Sequence, residues 1–333
     1  DEAAFYGCSS LKEVAFPDNL SIIGIYCFKN CSSLASVTLP NALTQIREAA
    51  FYGTALQNLT IPDGVTVIGK YAFKNCEQMK SVAMPTSLQK IDDSAFYNCN
   101  TLTVLNLPNG LTSICDYAFR KCTGLQMVSF PESLRTIGES SFYGCTGLSE
   151  LMIPEGVTQI NGYAFKGCTN VYTVTLPSTL ESLGESAFYG CARISQVEIP
   201  ANVTSLGAYV FSRCSALGTV IFAGNAPAIG SVAFNGVKAN VYYPAGNATW
   251  TADKQQSYGG QLTWAENTAN ISVFQEETAM DDSTAVLMPV EESAPASAAE
   301  TAETESISAE KESSAEEAES DVSETSAAEE TSS

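Results

Sequence analysis

The stretch Leu148–Cys168 reads LSELMIPEGVTQINGYAFKGC, and its pattern recurs along most of the chain. Phenylalanine marks each repeat, at intervals of 23 residues apart from one interval of 22 between Phe51 and Phe73. These anchors are Phe5, Phe28, Phe51, Phe73, Phe96, Phe119, Phe142, Phe165, Phe188, Phe211 and Phe234. Because one such unit cannot bury its apolar face alone, so regular a repeat predicts a solenoid of stacked coils.

Each unit contains three apolar segments. The segment before the proline, as in Val82–Met84, alternates like a short strand with one buried face, and the proline ends it. A second segment, as in Val65–Gly69, ends in a turn residue. In Ala-Phe-x-x-Cys the apolar residues are three apart, which we interpret as one helical turn with Phe and Cys facing inward. Some ten coils stacked at strand spacing predict a body roughly 50 Å long.

The Phe and Cys positions are therefore predicted core residues. They are Phe28, Phe51, Phe73, Phe96, Phe119, Phe142, Phe165, Phe188 and Phe211, with Cys76, Cys99, Cys122, Cys145, Cys168 and Cys191. Val237 fills the cysteine position in the last coil, which indicates a small apolar site and favours buried free thiols. Disulfides between coils are an alternative, although parallel Cβ vectors suit them poorly, and bound metal is another.

A longer period of 46 residues overlies the repeat. The residue after Phe alternates between tyrosine and a cation, in the order Tyr6, Lys29, Tyr52, Lys74, Tyr97, Arg120, Tyr143, Lys166 and Tyr189. This order would stack a cation beside a ring from coil to coil, and each exposed contact would contribute about 0.5–1 kcal/mol. A neutral record of duplication explains the same pattern, so the sequence leaves both explanations open.

The Phe, Cys, Pro and Val/Ile/Leu positions of residues 1–222 resemble the BspA-like leucine-rich repeat, whose unit is of the Ala-Phe-x-x-Cys type. This resemblance implies a repeat solenoid, a right-handed leucine-rich-repeat coil. Short parallel strands would form its concave face, with short strands and helical turns on its convex side. The resemblance also implies an extracellular or cell-surface protein of a bacterium, although related proteins exist in anaerobic protists. Free thiols outside the cell suit an anaerobic habitat. Its implied function is adhesion to host matrix proteins or other cells, with no catalytic residue or cofactor to carry over.

The repeat pattern ends before the chain does. Residues 223–265 are predicted to form a degenerate last repeat and an aromatic C-terminal cap, because an end coil would otherwise leave the core open. A sugar-binding platform on Trp250 and Trp264 is the alternative. Residues 266–333 are predicted to be a disordered acidic tail rich in Ala, Ser, Glu and Thr. The first coil is truncated at Asp1, from which we expect further repeats before it.

Charge and composition exclude several classes of function. The net charge of the 333 residues is −21, of which 266–333 contribute −18 (19 acidic residues and one Lys), so residues 1–265 carry only −3. No basic block exists to bind nucleic acid, and no apolar run of about 18 residues predicts a membrane span. Without histidine there is no Ser-His-Asp triad, Cys-His pair or imidazole metal site.

The remaining carboxylates do not indicate an enzyme either. A row formed by Glu48, Asp93, Glu139 and Glu185 recurs every second coil, and Asp92 adjoins it. Its members would lie roughly 10 Å apart on a surface without a cleft, so we interpret them as a solvated face. The sequence predicts no catalytic residue, no cofactor and no metal.

The predicted binding surface is the outer side of the strand row. Its outward residues are mostly small and polar, but Val104, Met127, Met152 and Tyr172 interrupt them in four consecutive coils. Exposed apolar clusters are candidate protein contacts, and chance variation is the alternative. We therefore predict a monomeric, non-catalytic module that binds a protein on a host or neighbouring cell surface. A spacer or targeting module of a larger secreted protein and a carbohydrate-binding module are the alternatives.

Overall fold

The computed structural model describes residues 1–269 and 271–272, and this part of the chain consists of short strands and turns. The strands are β1 (Ile22–Ile23), β2 (Gln45–Ile46), β3 (Asn58–Thr60), β4 (Val67–Ile68), β5 (Ser81–Ala83), β6 (Lys90–Ile91), β7 (Val104–Asn106), β8 (Ser113–Ile114), β9 (Met127–Ser129), β10 (Thr136–Ile137), β11 (Glu150–Met152), β12 (Gln159–Ile160), β13 (Thr173–Thr175), β14 (Ser182–Leu183), β15 (Gln196–Ile199), β16 (Ser205–Leu206), β17 (Thr219–Phe222), β18 (Ala228–Ile229), β19 (Lys238–Pro244) and β20 (Gln261–Asn267). The predicted tail beyond Ser272 lies outside the described residues.

Two series of parallel strands run along the solenoid. The second apolar segment of each coil contributes two residues to a ten-stranded sheet, in the order β1-β2-β4-β6-β8-β10-β12-β14-β16-β18. The segment before the proline forms the pairs β3–β5, β7–β9 and β11–β13 and the four-stranded sheet β15-β17-β19-β20. Neighbouring strands pair one repeat apart, as in Leu105 with Val128, so equivalent side chains stack in columns. The predicted parallel-strand solenoid is therefore confirmed.

The predicted helical turns are wrong, because no residue of the described chain is helical. Around Phe73, the amides of Lys74 and Cys76 close tight turns onto Tyr71 and Phe73, at 3.0 and 3.2 Å. The intervening amides of Phe73 and Asn75 instead donate to the next coil. A helix would use all these amides within the segment, so none of them would remain to join this turn to the next coil.

Backbone conformation enforces these turns. The residues two before and two after each Phe have positive φ, for example Tyr71 at 57° and Asn75 at 60° around Phe73. Glycine and asparagine adopt this left-handed conformation at the least cost, and one of them follows Phe by two positions in most coils. Left-handed residues on both sides of Phe interrupt any right-handed helix.

The phenylalanines form one continuous column through the core. From Phe5 to Phe234, each ring stacks on the ring of the next coil, with centroids 5.1–5.7 Å apart. Rings from Phe28 to Phe234 are buried, whereas the first ring, Phe5, is 39% exposed. Each inner ring therefore has an aromatic neighbour on both faces.

A column of thiols runs beside the rings. All eleven cysteines are free thiols, and those three residues after Phe are buried from Cys31 to Cys214. Each of these buried thiols donates a hydrogen bond to the carbonyl of the Phe in the preceding coil, as Cys122 does to Phe96 at 3.2 Å. Thr54 takes the cysteine position in the coil that is one residue short, and its hydroxyl lies 3.0 Å from the Phe51 carbonyl and 3.2 Å from Cys76 Sγ.

Aromatic side chains cover the C-terminal end of the core. Trp250 is buried between Phe222, Tyr243 and Trp264, with ring centroids 4.7–5.5 Å away, and its indole N–H donates to the Gly224 carbonyl. The last strand, β20, pairs with β19 over seven residues and extends two residues past the predicted end of the cap. Because Trp250 is buried, its ring is not available to stack on a sugar.

Candidate functional site

The strand face, formed by the outward side chains of β3, β5, β7, β9, β11 and β13, follows from strand geometry. In each three-residue strand the middle side chain points into the core and the two flanking side chains point outward. Most flanking side chains are small and polar, and the four predicted exceptions are all exposed. Val104 is 43% exposed, Met127 60%, Met152 67% and Tyr172 42%.

The four residues occupy three neighbouring columns of the strand face. Val104 and Met127 are register partners in adjacent strands. Met152 ends the next strand, two residues further along than the position in register with Met127, and Tyr172 lies one residue before β13. The structure therefore brings Val104 and Met127 side by side and places Met152 and Tyr172 on either side of their column. We call these four residues the strand-face patch.

Tyr172 gives the strand-face patch a polar edge. Its hydroxyl donates a short hydrogen bond to Glu150, and the Arg193 guanidinium lies 5.9 Å from the centre of its ring. The bond to Glu150 raises the pKa of the phenol, since ionising it would place a second negative charge beside the carboxylate. Tyr172 thus lies between the Glu150 carboxylate and the Arg193 guanidinium, whereas the side chains of Met127 and Met152 are exposed to solvent.

A shallow groove lined by both polar and apolar side chains precedes the strand-face patch along the strand face. Its lining includes Thr38, Asn58, Thr60, Ser81 and Asn106. The Ser81 hydroxyl donates to the Asn58 side-chain oxygen at 2.7 Å, so these side chains partly satisfy one another. The residues that line the groove include no charged side chain.

The turns carry the second feature of the 46-residue period, which we call the tyrosine–cation ladder. It consists of the alternating residues Tyr6, Lys29, Tyr52, Lys74, Tyr97, Arg120, Tyr143, Lys166 and Tyr189. Lys29 Nζ lies 5.6 and 5.2 Å from the ring centres of Tyr6 and Tyr52, in the coils before and after it. Its own coil adds Tyr26 at 5.0 Å. The stacking predicted from the alternation is therefore present in the structure.

The carboxylate row lies on the same side of the coils, and tyrosine hydroxyls donate hydrogen bonds to its carboxylates. The hydroxyls of Tyr26 and Tyr163 donate to Glu48 and Glu185, at 3.2 and 2.7 Å. The hydrogen bond to Glu185 raises the pKa of Tyr163 to about 12. This hydrogen bond explains the alternation in the sequence. A tyrosine two residues before the Phe of one coil pairs with a carboxylate three residues before the Phe of the next coil.

One cluster was not recognised in the sequence. Asp92, Asp93 and Cys115 bring potential ligand atoms within 4.8 Å of one another, across two coils. The Lys90 ammonium already lies 3.3 Å from an Asp92 oxygen and supplies the carboxylate with a positive charge. The signal that could have found the cluster is the register itself, because Cys115 is 23 residues after Asp92.

Comparison with known proteins identifies the repeat. The sequence profile of the "BspA type Leucine rich repeat region" matches residues 1–126, 44–170, 89–217 and 135–246, with six copies. The chain belongs to the BspA-type leucine-rich repeat family. This BspA-type solenoid matches no curated protein.

Several solved structures are similar to the BspA-type chain. A leucine-rich repeat protein from Bacteroides ovatus is 26% identical, with 80% of this chain and 86% of that chain covered and a TM-score of 0.44. The T. pallidum Leucine Rich Repeat protein is also 26% identical, over 55% and 76%, with a TM-score of 0.42. A leucine-rich cell surface protein from Faecalibacterium prausnitzii is 22% identical, over 75% and 77%, with a TM-score of 0.43. Within the described residues, no helix has the length and apolarity to cross a membrane.

Proposed function

We propose that this BspA-type solenoid is a non-catalytic protein-interaction module that uses the strand-face patch to bind a protein on a host or neighbouring cell. The observation that supports it most is the exposure of Met127 and Met152, at 60% and 67%, on a strand face whose outward side chains are mostly small and polar. Flexible, polarizable methionine side chains adapt to a partner surface and release water when covered. Tyr172 adds a ring with a polar end, a residue type enriched at binding hot spots.

The proposal extends to where the protein works. A module that binds proteins of other cells must be exposed to them, so we place the chain outside the cell or on its surface, where it acts as a monomer in adhesion. The repeated rigid backbone would present the strand-face patch with little loss of conformational entropy on binding.

The test combines Met127→Glu with Tyr172→Ala. Binding of the purified chain to a panel of immobilised extracellular-matrix proteins, and to whole bacterial cells, is measured before and after the change. We expect the double variant to lose the interaction and keep its circular dichroism spectrum and unfolding midpoint. Val67→Glu is the matched control, because Val67 is also exposed (39%) but lies in the ten-stranded sheet. Unchanged binding by the double variant would exclude the strand-face patch.

A further inference from the structure

The strands of the strand face pair two by two, and the pairing is interrupted between the pairs. In the described chain β3 pairs with β5 and β7 with β9, but no ladder joins β5 to β7. Within a pair, the residue after the strand donates to the next coil, as the Ile61 amide does to the Ala83 carbonyl at 3.0 Å. Between pairs this bond is missing, because the amides of Leu39 and Met84 donate to no acceptor among the described residues.

The groove that precedes the strand-face patch contains two of these interruptions. Leu39, Thr60, Met84 and Asn106 all line it. By analogy with the intact pairs, the Leu39 and Met84 amides would reach the carbonyls of Thr60 and Asn106, and neither carbonyl accepts a hydrogen bond within residues 1–269. Backbone polar groups need partners when they are shielded from water, and Leu39 is only 7% exposed. Each interruption thus offers a ligand one donor and one acceptor.

The side chains around the interruptions favour a neutral ligand. The Asn58 oxygen accepts from the Ser81 hydroxyl, but within the described residues the Asn58 amide nitrogen and the Thr60 hydroxyl have no hydrogen-bond partner. The groove has a volume of about 750 Å³, within the range of roughly 300–1,000 Å³ that is typical of ligand sites. Because no charged residue lines it, a charged ligand would lose water without gaining a counter-charge.

The distance between the two interruptions discriminates among neutral polymers. They are two coils apart, about 10 Å at strand spacing. Three residues of an extended peptide span this step, but side chains alternate with a period of two, so every third residue faces the other way. A polyproline helix returns to the same face after three residues, but it docks in grooves lined by aromatic rings, and none lines this groove. In an extended β-linked sugar chain, equivalent groups return to the same face after one disaccharide, whose length is close to this step.

We propose that this groove binds a neutral, β-linked oligosaccharide of N-acetylated amino sugars. An acetamido group carries one N–H and one C=O, the complement of what each interruption presents. Its oxygen would accept from the Leu39 or Met84 amide, and its N–H would donate to the Thr60 or Asn106 carbonyl. Two acetamido groups one disaccharide apart would meet both interruptions, and sugar hydroxyls would bond to side chains such as Asn58.

This site is separate from the buried Trp250 and from the strand-face patch. The next interruption along the strand face is at Phe130, whose amide also donates to no acceptor among the described residues. It lies between the strands that carry Met127 and Met152 and is not part of the groove lining. Phe130 therefore serves as an internal control for the groove.

Calorimetry with size-defined oligosaccharides tests the class of ligand. Chito-oligosaccharides carry an acetamido group on every sugar, and cello-oligosaccharides have the same linkage with a hydroxyl in its place. We expect chitotriose to bind at least about tenfold more tightly than chitobiose, because three sugars are the fewest that present two acetamido groups on one face. A fourth sugar should add little. Cellotriose should bind at least about tenfold more weakly than chitotriose.

Amide hydrogen exchange, followed by NMR, connects the binding to the backbone. With chitotriose we expect exchange at Leu39 and Met84 to slow, because both N–H groups would become hydrogen bonded. Exchange at Phe130 should not change, since its amide has the same free N–H outside the groove.

Substitutions connect the binding to the groove. Ala83 is exposed in the column between Thr60 and Asn106, so Ala83→Tyr should obstruct the groove and weaken chitotriose binding by at least about tenfold. Thr175→Tyr is the matched control, because Thr175 also ends a three-residue strand but lies outside the groove. Asn58→Ala with Asn106→Ala should weaken binding by about tenfold through lost hydrogen bonds. Circular dichroism verifies that each variant is folded.

Several results would overturn the proposal. They are absence of chito-oligosaccharide binding, equal binding of cello-oligosaccharides, full binding by folded Ala83→Tyr, and unchanged exchange at both Leu39 and Met84. Peptide-free glycan strands of peptidoglycan carry acetamido groups with a carboxylate on every second sugar. Weaker binding of these strands supports a neutral ligand, and tighter binding than that of chito-oligosaccharides of equal length would also overturn it. Met127→Glu with Tyr172→Ala should leave chitotriose binding unchanged, so failure of one proposal does not imply failure of the other.

Discussion

Phe119→Ala tests the physical basis of the solenoid. Phe119 is fully buried and stacks on Phe96 and Phe142, each with its ring centre 5.3 Å away. Truncation of a buried phenylalanine costs about 3–5 kcal/mol, from lost transfer energy and the cavity that remains. Two aromatic pairs, each contributing about 0.5–1.5 kcal/mol, are lost together, which places the expected cost in the upper half of that range. The cavity would divide the phenylalanine column in the middle of the repeat array.

Urea unfolding followed by circular dichroism measures this cost. The matched control is Phe5→Ala, because Phe5 is 39% exposed and, within residues 1–269, stacks only on Phe28, at 5.1 Å. We expect the control to cost less than half as much. We also expect a smaller m-value for Phe119→Ala, since coils on the two sides of the cavity would be less strongly coupled through their nearest neighbours. A loss below about 1 kcal/mol for Phe119→Ala, or equal losses for both variants, would refute the stacking argument.

Three further predictions concern the ladder, a buried hydroxyl and the thiols. Lys74→Gln with Lys166→Gln should lower stability by about 2–4 kcal/mol in thermal or urea unfolding, because each lysine loses two ring contacts of about 0.5–1 kcal/mol each. No change in stability would favour a neutral record of duplication. Ser141→Ala should stabilise the chain by about 1 kcal/mol, because the Ser141 hydroxyl is fully buried without a hydrogen-bond partner in the described structure. A loss of stability would instead show that the hydroxyl has a partner. Burial raises the pKa of Cys122 from 9.0 to about 12. As the pH rises above about 9, the thiol therefore loses its proton in the unfolded state before it does in the folded state, and the stability of the fold should fall. Cys122→Val should make that fall less steep in urea titrations from pH 7 to 11, and a pH-independent stability would contradict the assigned burial.

The turn at each phenylalanine shows where reasoning from the pattern was insufficient. Apolar residues three apart, as in Phe73 and Cys76, suit either a helical turn or a chain of tight turns. The glycine or asparagine two residues after Phe distinguishes them, because it marks the left-handed conformation that ends a helix. The glycine or asparagine is visible in the sequence, and it distinguishes the two conformations where the spacing of the apolar residues does not.

Thr54 shows a similar limit. The interval of 22 residues between Phe51 and Phe73 indicates a missing residue but not its position. In the structure Thr54 takes the cysteine position, but its hydroxyl donates to the Phe51 carbonyl of its own coil and not to that of the preceding coil. Leu56 is buried two residues after Thr54, whereas Met79 is buried three residues after Cys76. The deletion therefore falls between Thr54 and Leu56, where the chain can shorten without moving a core side chain.

The strand-face patch required three-dimensional register. Sequence alternation indicated that Val104, Met127, Met152 and Tyr172 point outward, but not which of them touch. Only the pairing of β7 with β9 places Val104 beside Met127, and only packing places Glu150 and Arg193 around Tyr172. Contacts between coils depend on both the period and the exact point at which each strand begins.

The sequence by itself determined the solenoid, its 23-residue coil, its phenylalanine core and the 46-residue alternation, because a repeat must stack to bury its apolar face. The tertiary structure decided how the amides are shared between turns and neighbouring coils, which excluded the helical turn. It also decided the spacing of the tyrosine–cation ladder and the neighbours of each exposed side chain. Those properties depend on contacts between neighbouring coils, about one repeat apart in sequence, and a local pattern does not specify them.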